Sequence, residues 1–434
     1  MLMRQIDLRG KRLSKTELKR TMPRGNFSIS DAILKIEPIL KRVEKGTEAD
    51  LLQISEELDG VRPSTIRVSE ADLDRALTNL DAKTRVALEE AIRRIRKVHK
   101  DQVPKETKTK VAKGGKVKRT WIAVDRVGTY APGGLATYPS SVIMNVVPAQ
   151  IAGVKSIAIA SPPQKKNGGL PDEIVMATAR LLGVKEVFAI GGAQAVAMFA
   201  YGIPGLCDSA DIVTGPGNIY VAAAKRALRG LIGIDSEAGP TEIMVLADKD
   251  ANPAHVAVDL ISQAEHDELA AALLVTDSLE LASKVQQEIN HRSSNTKHSN
   301  RIRASLSGQQ SGIVLVDSID QGLDVINAYA PEHLELLVEN PNQVASLVRN
   351  AGAIFLGTFA PVSLGDYAAG SNHVLPTGGC ACHSSALSVT TFLRNVSQIE
   401  YNEKALAKIA EQVVTLANAE NLPAHGEAIK ARFE

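Results

Sequence analysis

Glu186-Val187-Phe188-Ala189-Ile190-Gly191-Gly192-Ala193-Gln194-Ala195 is a short apolar run that stops at two glycines and passes directly into an alanine-rich stretch. That is the signature of a strand, a tight turn and a helix in immediate succession. The same unit recurs around it. Ser156-Ile157-Ala158-Ile159-Ala160 precedes a helical stretch from Asp172 to Leu182, and Asp211-Ile212-Val213 precedes another from Ile219 to Leu228. Ile122-Ala123-Val124 is a further short run of the same kind. Strands alternating with helices imply right-handed βαβ units and a parallel sheet.

A second series begins after Pro240, at Ile243 to Ala247, Ala271 to Thr276, Gly312 to Asp317 and Ala353 to Leu356. The fold class is therefore α/β, with two Rossmann-like parallel-sheet domains. We divide the chain into a largely helical region at 1–120, a first sheet domain at 121–240, a second at 241–378, and a helical C-terminal segment at 379–434. Pro38 falls inside the first helical pattern and predicts a kink or break there. No repeated motif aligns the two sheet series, so an internal duplication stays a guess.

A chain of 434 residues, 44% hydrophobic and 23% charged, has the balance of a soluble globular protein of several domains. Fifty Lys and Arg oppose 49 Asp and Glu, a formal net charge of +1, which leaves no footprint for nucleic acid or an anionic membrane. The basic stretch from Lys105 to Arg119 carries no interleaved aromatic residues and suits a solvated hairpin or loop. No apolar run is long enough to span a bilayer, since Asn145 and Pro148 interrupt Val142 to Val154. The N-terminus lacks a secretory pattern, and Cys207, Cys380 and Cys382 cannot form a disulfide framework, so a reducing cytoplasm is expected.

Three glycine-rich turns follow predicted strands: Gly128 to Gly134, Gly191 to Ala195, and Gly215-Pro216-Gly217-Asn218. Their convergence at the carboxyl ends of strands favours a nucleotide site, although none is a G-x-G-x-x-G fingerprint and ligand-free βα turns also carry glycines. Four further segments carry titratable groups. Gln263 and His266 are three apart and would share a helix face, a spacing open to a metal but equally to a capping histidine. Glu332 and His333 are adjacent after Pro331. Asp366 is framed by Gly365 and small residues, as in a metal site or a plain turn, and Glu420 and His425 flank Pro423 near the chain end.

Taken together, these segments resemble the histidinol dehydrogenase family along nearly the whole chain. The resemblance is carried by Tyr130 to Gly134, Gly191 to Ala195, Gly215 to Asn218, Ala238-Gly239-Pro240-Thr241-Glu242 and Ser262 to His266. Pro331 to Leu334, Gly365-Asp366-Tyr367, Asn372 to Thr377 and Ala424-His425 complete it. It implies zinc held by Gln263, His266, Asp366 and His425, with His425 and Glu420 reaching the partner's site in a homodimer with swapped C-terminal segments. It implies NAD contacts at Tyr130, Gln194 and Asn218. Thr241, His373 and Glu420 would join the zinc ligands and His333 in holding L-histidinol. Glu332 and His333 would be catalytic, His333 as the base for the hydroxyl and Glu332 activating water for the aldehyde step. The sheet domains would resemble those of aldehyde dehydrogenases. A rival reading is a zinc-free aldehyde or alcohol dehydrogenase with a cysteine nucleophile at Cys380 or Cys382.

Overall fold

The computed structural model describes residues 2–25, 29–133, 137–237, 239–294 and 296–434. Gly134 and Ala238, each part of a motif above, lie outside them. The chain opens with a short strand, β1 (Gln5–Asp7), and then runs through five helices as far as Lys100. Pro38 does not break the second of these, Ile29–Glu44. A hairpin follows, β2 (Thr107–Ala112) and β3 (Gly115–Ala123), which contains most of the basic stretch. Ile122 and Ala123 thus close an antiparallel strand rather than open the parallel sheet; the turn at Val124 and Asp125 separates the two.

Five parallel strands then form a sheet: β4 (Arg126–Tyr130), β5 (Ser156–Ser161), β6 (Glu186–Ala189), β7 (Ile212–Thr214) and β8 (Gly233–Ile234). Their lateral order is β6-β5-β4-β7-β8. Helices cover both faces, and Pro139–Ala152 is buried along most of its length, which explains its continuous apolar sequence. The second sheet is built from β9 (Glu242–Ala247), β10 (Ala271–Thr276), β11 (Gly312–Leu315), β12 (His333–Leu337) and β13 (Ala353–Leu356). Its order is β1-β11-β10-β9-β12-β13, all parallel.

In both sheets the strand that comes first in each five-strand run lies at the centre. The second and third stand on one side of it and the fourth and fifth on the other. The order reverses beside that central strand in each case, which is the doubly wound arrangement with its crevice between first and fourth strands. The guessed duplication has this much support, a shared topology without a shared motif. In the second sheet the N-terminal strand β1 lines the outer edge of β11, so residues 5–7 belong with elements more than 300 positions away.

The C-terminal segment is not wholly helical as expected. Its strand β14 (Leu393–Tyr401) pairs antiparallel with β3 along its whole length. Val396, Ile399 and Tyr401 are spaced among Arg, Asn, Gln and Glu, a mostly polar pattern that suits an exposed edge strand and gives little apolar signal. Beyond it the helices Ala410–Ala419 and Pro423–Lys430 pack on each other. Among the described residues no helix is long and apolar enough to cross a membrane.

Candidate active site

The chain leaves the first sheet at β8 and enters the second at β9, and the candidate residues gather around that passage. Thr241 directly precedes β9, Glu332 directly precedes β12, and His333 is the first residue of β12. Strands β9 and β12 are neighbours, with His333 opposite Ile243, so their amino ends stand side by side. That register places the Glu332 carboxylate against the start of β9. It accepts hydrogen bonds from the Thr241 hydroxyl at 2.6 Å and from the Glu242 backbone N–H at 2.8 Å. Gln263 sits in the last turn of the helix Pro253–Ala264, and its amide donates to the Thr241 hydroxyl.

His333 is buried beside Glu332. Its Nδ1 donates to the Glu242 carbonyl at 3.1 Å and lies 3.5 Å from a Glu332 oxygen. Because a carbonyl only accepts, that bond fixes the proton on Nδ1 in the neutral ring and leaves the Nε2 lone pair free. Nε2 is buried, makes no hydrogen bond among the described residues, and is 3.8 Å from Asp366 Oδ1. Burial alone would lower the pKa of this imidazole; the Glu332 and Asp366 carboxylates outweigh it and raise the value to about 9.

Asp366 lies near the end of a short helix, Val362–Tyr367, and its backbone carbonyl accepts from His373 Nδ1 at 2.9 Å. Residues on either side of His373 are anchored in the first sheet domain. Asn372 donates to the Met144 carbonyl at 2.6 Å, and Val374 belongs to the core under the helix Pro139–Ala152. His373 itself senses Asp366, His333 and His266, and burial keeps its pKa below the ordinary histidine value. One side chain thus ties the two sheet domains together at the site.

His266 is not on the helix face with Gln263. The helix ends at Ala264, and His266 stands in the turn that follows, where its backbone N–H donates to the Gln263 carbonyl at 3.2 Å. The three-residue spacing still brings the two side chains to one end of one element.

Within one chain, then, Thr241, Gln263, His266, Glu332, His333, Asp366 and His373 come together. Glu420 and His425 do not join them; both are exposed on the C-terminal arm. The donor set fits a borderline cation: an amide, an imidazole and a carboxylate from one chain, beside an orphaned imidazole nitrogen. Among the described residues no group of three or more His, Cys, Asp or Glu side chains is arranged to hold a metal ion.

The proposed cofactor residues line the carboxyl edge of the first sheet. Tyr130 ends β4 and is buried, its hydroxyl accepting from the Gly192 N–H at 3.2 Å, and burial raises its pKa to about 12. Gln194 is buried in the first turn of the helix Gly192–Tyr201, and neither its amide oxygen nor its amide nitrogen has a partner among the described residues. Such a pair of unsatisfied groups is what a polar ligand would satisfy. Asn218 is exposed and caps the helix Ile219–Leu228, accepting from Tyr220 and Val221 N–H groups at 3.0 and 3.2 Å. Its amide nitrogen is the part not engaged in capping.

Sequence reasoning passed over Glu242 and Arg24. Glu242 is buried, 3.7 Å from the Arg24 guanidinium, and accepts from the Tyr329 hydroxyl at 3.3 Å. Burial and the neighbouring Glu332 push its pKa up to about 7 against the pull of Arg24. Glu242 stood inside a quoted motif, but no spacing rule connects it to Arg24 or Tyr329. The cysteine route finds no support in its surroundings: burial pushes the Cys380 thiol up, away from the thiolate, and Cys382 is exposed.

The family profile described as "Histidinol dehydrogenase" matches residues 22–433. Histidinol dehydrogenase from Thermobifida fusca is 58% identical over 430 residues, covering 99% of this chain and 97% of that protein. The chain belongs to the histidinol dehydrogenase family. The histidinol dehydrogenase of Mycobacterium tuberculosis (strain H37Rv) is 54% identical over 435 residues, covering 99% of this chain and 98% of that protein. A crystal structure of histidinol dehydrogenase from Elizabethkingia anophelis superposes with a TM-score of 0.91 at 30% identity, covering 100% of this chain and 98% of that one. The family is one of oxidoreductases of histidine biosynthesis, and the fold of this chain is that of the Elizabethkingia anophelis enzyme.

Proposed function

We propose that the protein oxidises L-histidinol through histidinaldehyde to L-histidine, with NAD as hydride acceptor and zinc at the site, in the cytoplasm. The observation that carries the reading is the environment of His333. One nitrogen is pinned to a main-chain carbonyl, and the other is buried, unpartnered and flanked by Asp366. An alcohol yields hydride only as it loses its proton, and this free Nε2 is the group to take that proton.

The aldehyde must be hydrated before a second hydride can leave. Glu332 is the base for that water, held in place by Thr241 and the Glu242 N–H. His333 then accepts the proton of the hydrate. Gln263, His266 and Asp366, with the partner subunit's His425, would hold the zinc, which orients the imidazole and amine of the substrate. Tyr130, Gln194 and Asn218 would hold NAD, which accepts the hydride. Thr241, His373 and the partner subunit's Glu420 would complete the substrate's surroundings.

The test is NADH formation by the purified protein from L-histidinol and NAD, before and after metal removal. Two NADH per histidinol, lost with a chelator and restored by zinc, support the reading. Full activity after complete metal removal overturns the zinc role, and no NADH from any metal-loaded sample overturns the substrate and cofactor together.

A further inference from the structure

Lys225 and Asp235 form an ion pair at 2.6 Å in which both side chains are only 2% exposed. No step of the chemistry uses either. Their location follows from local geometry. Strand β8 pairs with β7 in the register Val213↔Ile234, so Asp235, one residue past β8, comes beside Gly215, one residue past β7. Lys225 lies two turns into the helix Ile219–Leu228, and a helical side chain slants toward its own N-terminus, back to the turn that precedes the helix.

The two partners hold opposite ends of one residue. Asp235 Oδ2 accepts from the Gly215 N–H at 2.7 Å, and Lys225 Nζ donates to the Gly215 carbonyl. Asp235 Oδ1 takes the Ser236 N–H as well, at 2.7 Å. Gly215 has φ +111°, and a Cβ there would stand 2.1 Å from the Tyr130 carbonyl oxygen. The glycine therefore packs its backbone directly on the end of β4, in a conformation that a helix or strand would not supply with hydrogen bonds. A buried ion pair contributes little net stability over an apolar pair of equal volume. What this one adds is geometry: both peptide groups of Gly215 are held, and with them the turn Pro216-Gly217-Asn218.

We propose that Lys225 and Asp235 are positioning residues for the cofactor: their ion pair clamps Gly215 so that Tyr130 and Asn218 stand in register to receive NAD. The inference rests on the NAD reading above. Among the described residues neither side chain makes a hydrogen bond or ion pair to the substrate half of the site, so the pair acts on cofactor binding and not on zinc or histidinol.

The experiment compares wild type with Lys225→Met, Asp235→Asn and the double variant Lys225→Met/Asp235→Leu. The double variant replaces the pair with apolar side chains and so removes the clamp without leaving a buried lone charge. NADH binding is read by fluorescence titration, zinc by metal analysis and stability by thermal unfolding. The expected result is an NADH Kd raised by about tenfold or more in all three variants, because a preorganised turn has been loosened. KM for NAD rises in parallel, while zinc content and KM for histidinol stay within about twofold, as expected for sites that share no partner. The double variant recovers thermal stability but not NADH affinity. A double variant that binds NADH like wild type overturns the proposal. Loss of zinc, histidinol affinity and NADH affinity together in that variant also overturns it, since the pair would then be a general structural element. A wild type that takes histidinol and zinc but no NADH overturns the cofactor reading first, and this inference with it.

Discussion

In the proposed alcohol step His333 is a base whose two carboxylate neighbours work against its readiness. Glu332 and Asp366 hold its pKa near 9, so the ring is protonated over most of the neutral range until one of those charges is offset. A base acts in its deprotonated form, so the alcohol step should quicken as pH rises through the His333 titration, which zinc on Asp366 would bring below that value. Glu332 is the larger of the two raising influences. Glu332→Gln should therefore move the rising limb of the alcohol step to lower pH by about one unit, as removal of an adjacent charge does. The check is the pH dependence of the first hydride transfer from histidinol; an unmoved limb would assign it to another group. The same substitution should slow oxidation of added histidinaldehyde by roughly 100-fold, the usual scale for loss of a general base. If His266 is a zinc ligand as proposed, His266→Asn should leave the fold intact and reduce bound zinc to below about a tenth of wild type. Metal analysis beside circular dichroism decides it.

At the scale of elements, the helix Pro253–Ala264 and strand β12 meet through a second pair of acids. Asp259 and Glu335 are buried and share a hydrogen bond; burial first, and then Asp259, push Glu335 up to about 9. Both carboxyls hold protons more tightly folded than unfolded. Unfolding therefore releases protons, and stability falls as pH rises from the ordinary carboxylate range through about 9. Glu335→Gln keeps a hydrogen-bonding group without the ionisation. It should stabilise the protein at pH 9 relative to its effect at pH 5, measured by denaturant unfolding at the two pH values. Equal effects at both would show that the pair does not titrate in this window.

The sequence betrayed these elements unevenly, for physical reasons. Strands β5, β6, β9, β10 and β13 are short apolar runs bounded by turns, and the burial of most of them on both faces is why they read as continuous. Strand β12 is absent from the series of apolar runs, and Pro331-Glu332-His333 alone leaves a helix or a strand open. His333 and Glu335 alternate with leucines there, and polar residues inside a buried parallel strand contradict the usual pattern because this strand carries part of the site. Strand β1 is too short to announce itself, and its pairing with β11 is wholly long-range. The candidate site neighbours Thr241, Glu332 and Asp366 were legible only through family motifs, since no local spacing brings β9, β12 and a later helix together. The Gly215 clamp lay beyond reach for the same reason: the register of β7 and β8 creates it.

For the whole molecule, the C-terminal arm poses the decisive question. Its helices Ala410–Ala419 and Pro423–Lys430 pack on each other, and Leu416, Leu422 and Phe433 remain exposed. Exposed apolar groups on such an arm suit burial against a second copy. The expected homodimer, in which each arm completes the partner's site, makes a prediction that no monomeric enzyme can satisfy. A chain with His266→Asn and a chain with His425→Ala should each be inactive alone. In a mixed dimer, one site combines the altered body of the first chain with the altered arm of the second and is doubly damaged. The other combines the intact body of the second with the intact arm of the first and is whole. Random pairing makes half the dimers mixed, each with one whole site of two, so co-expression should restore about a quarter of wild-type activity. If each site instead drew His425 from its own chain, every site in the mixture would lack one ligand, and the co-expressed pair would stay as inactive as either parent.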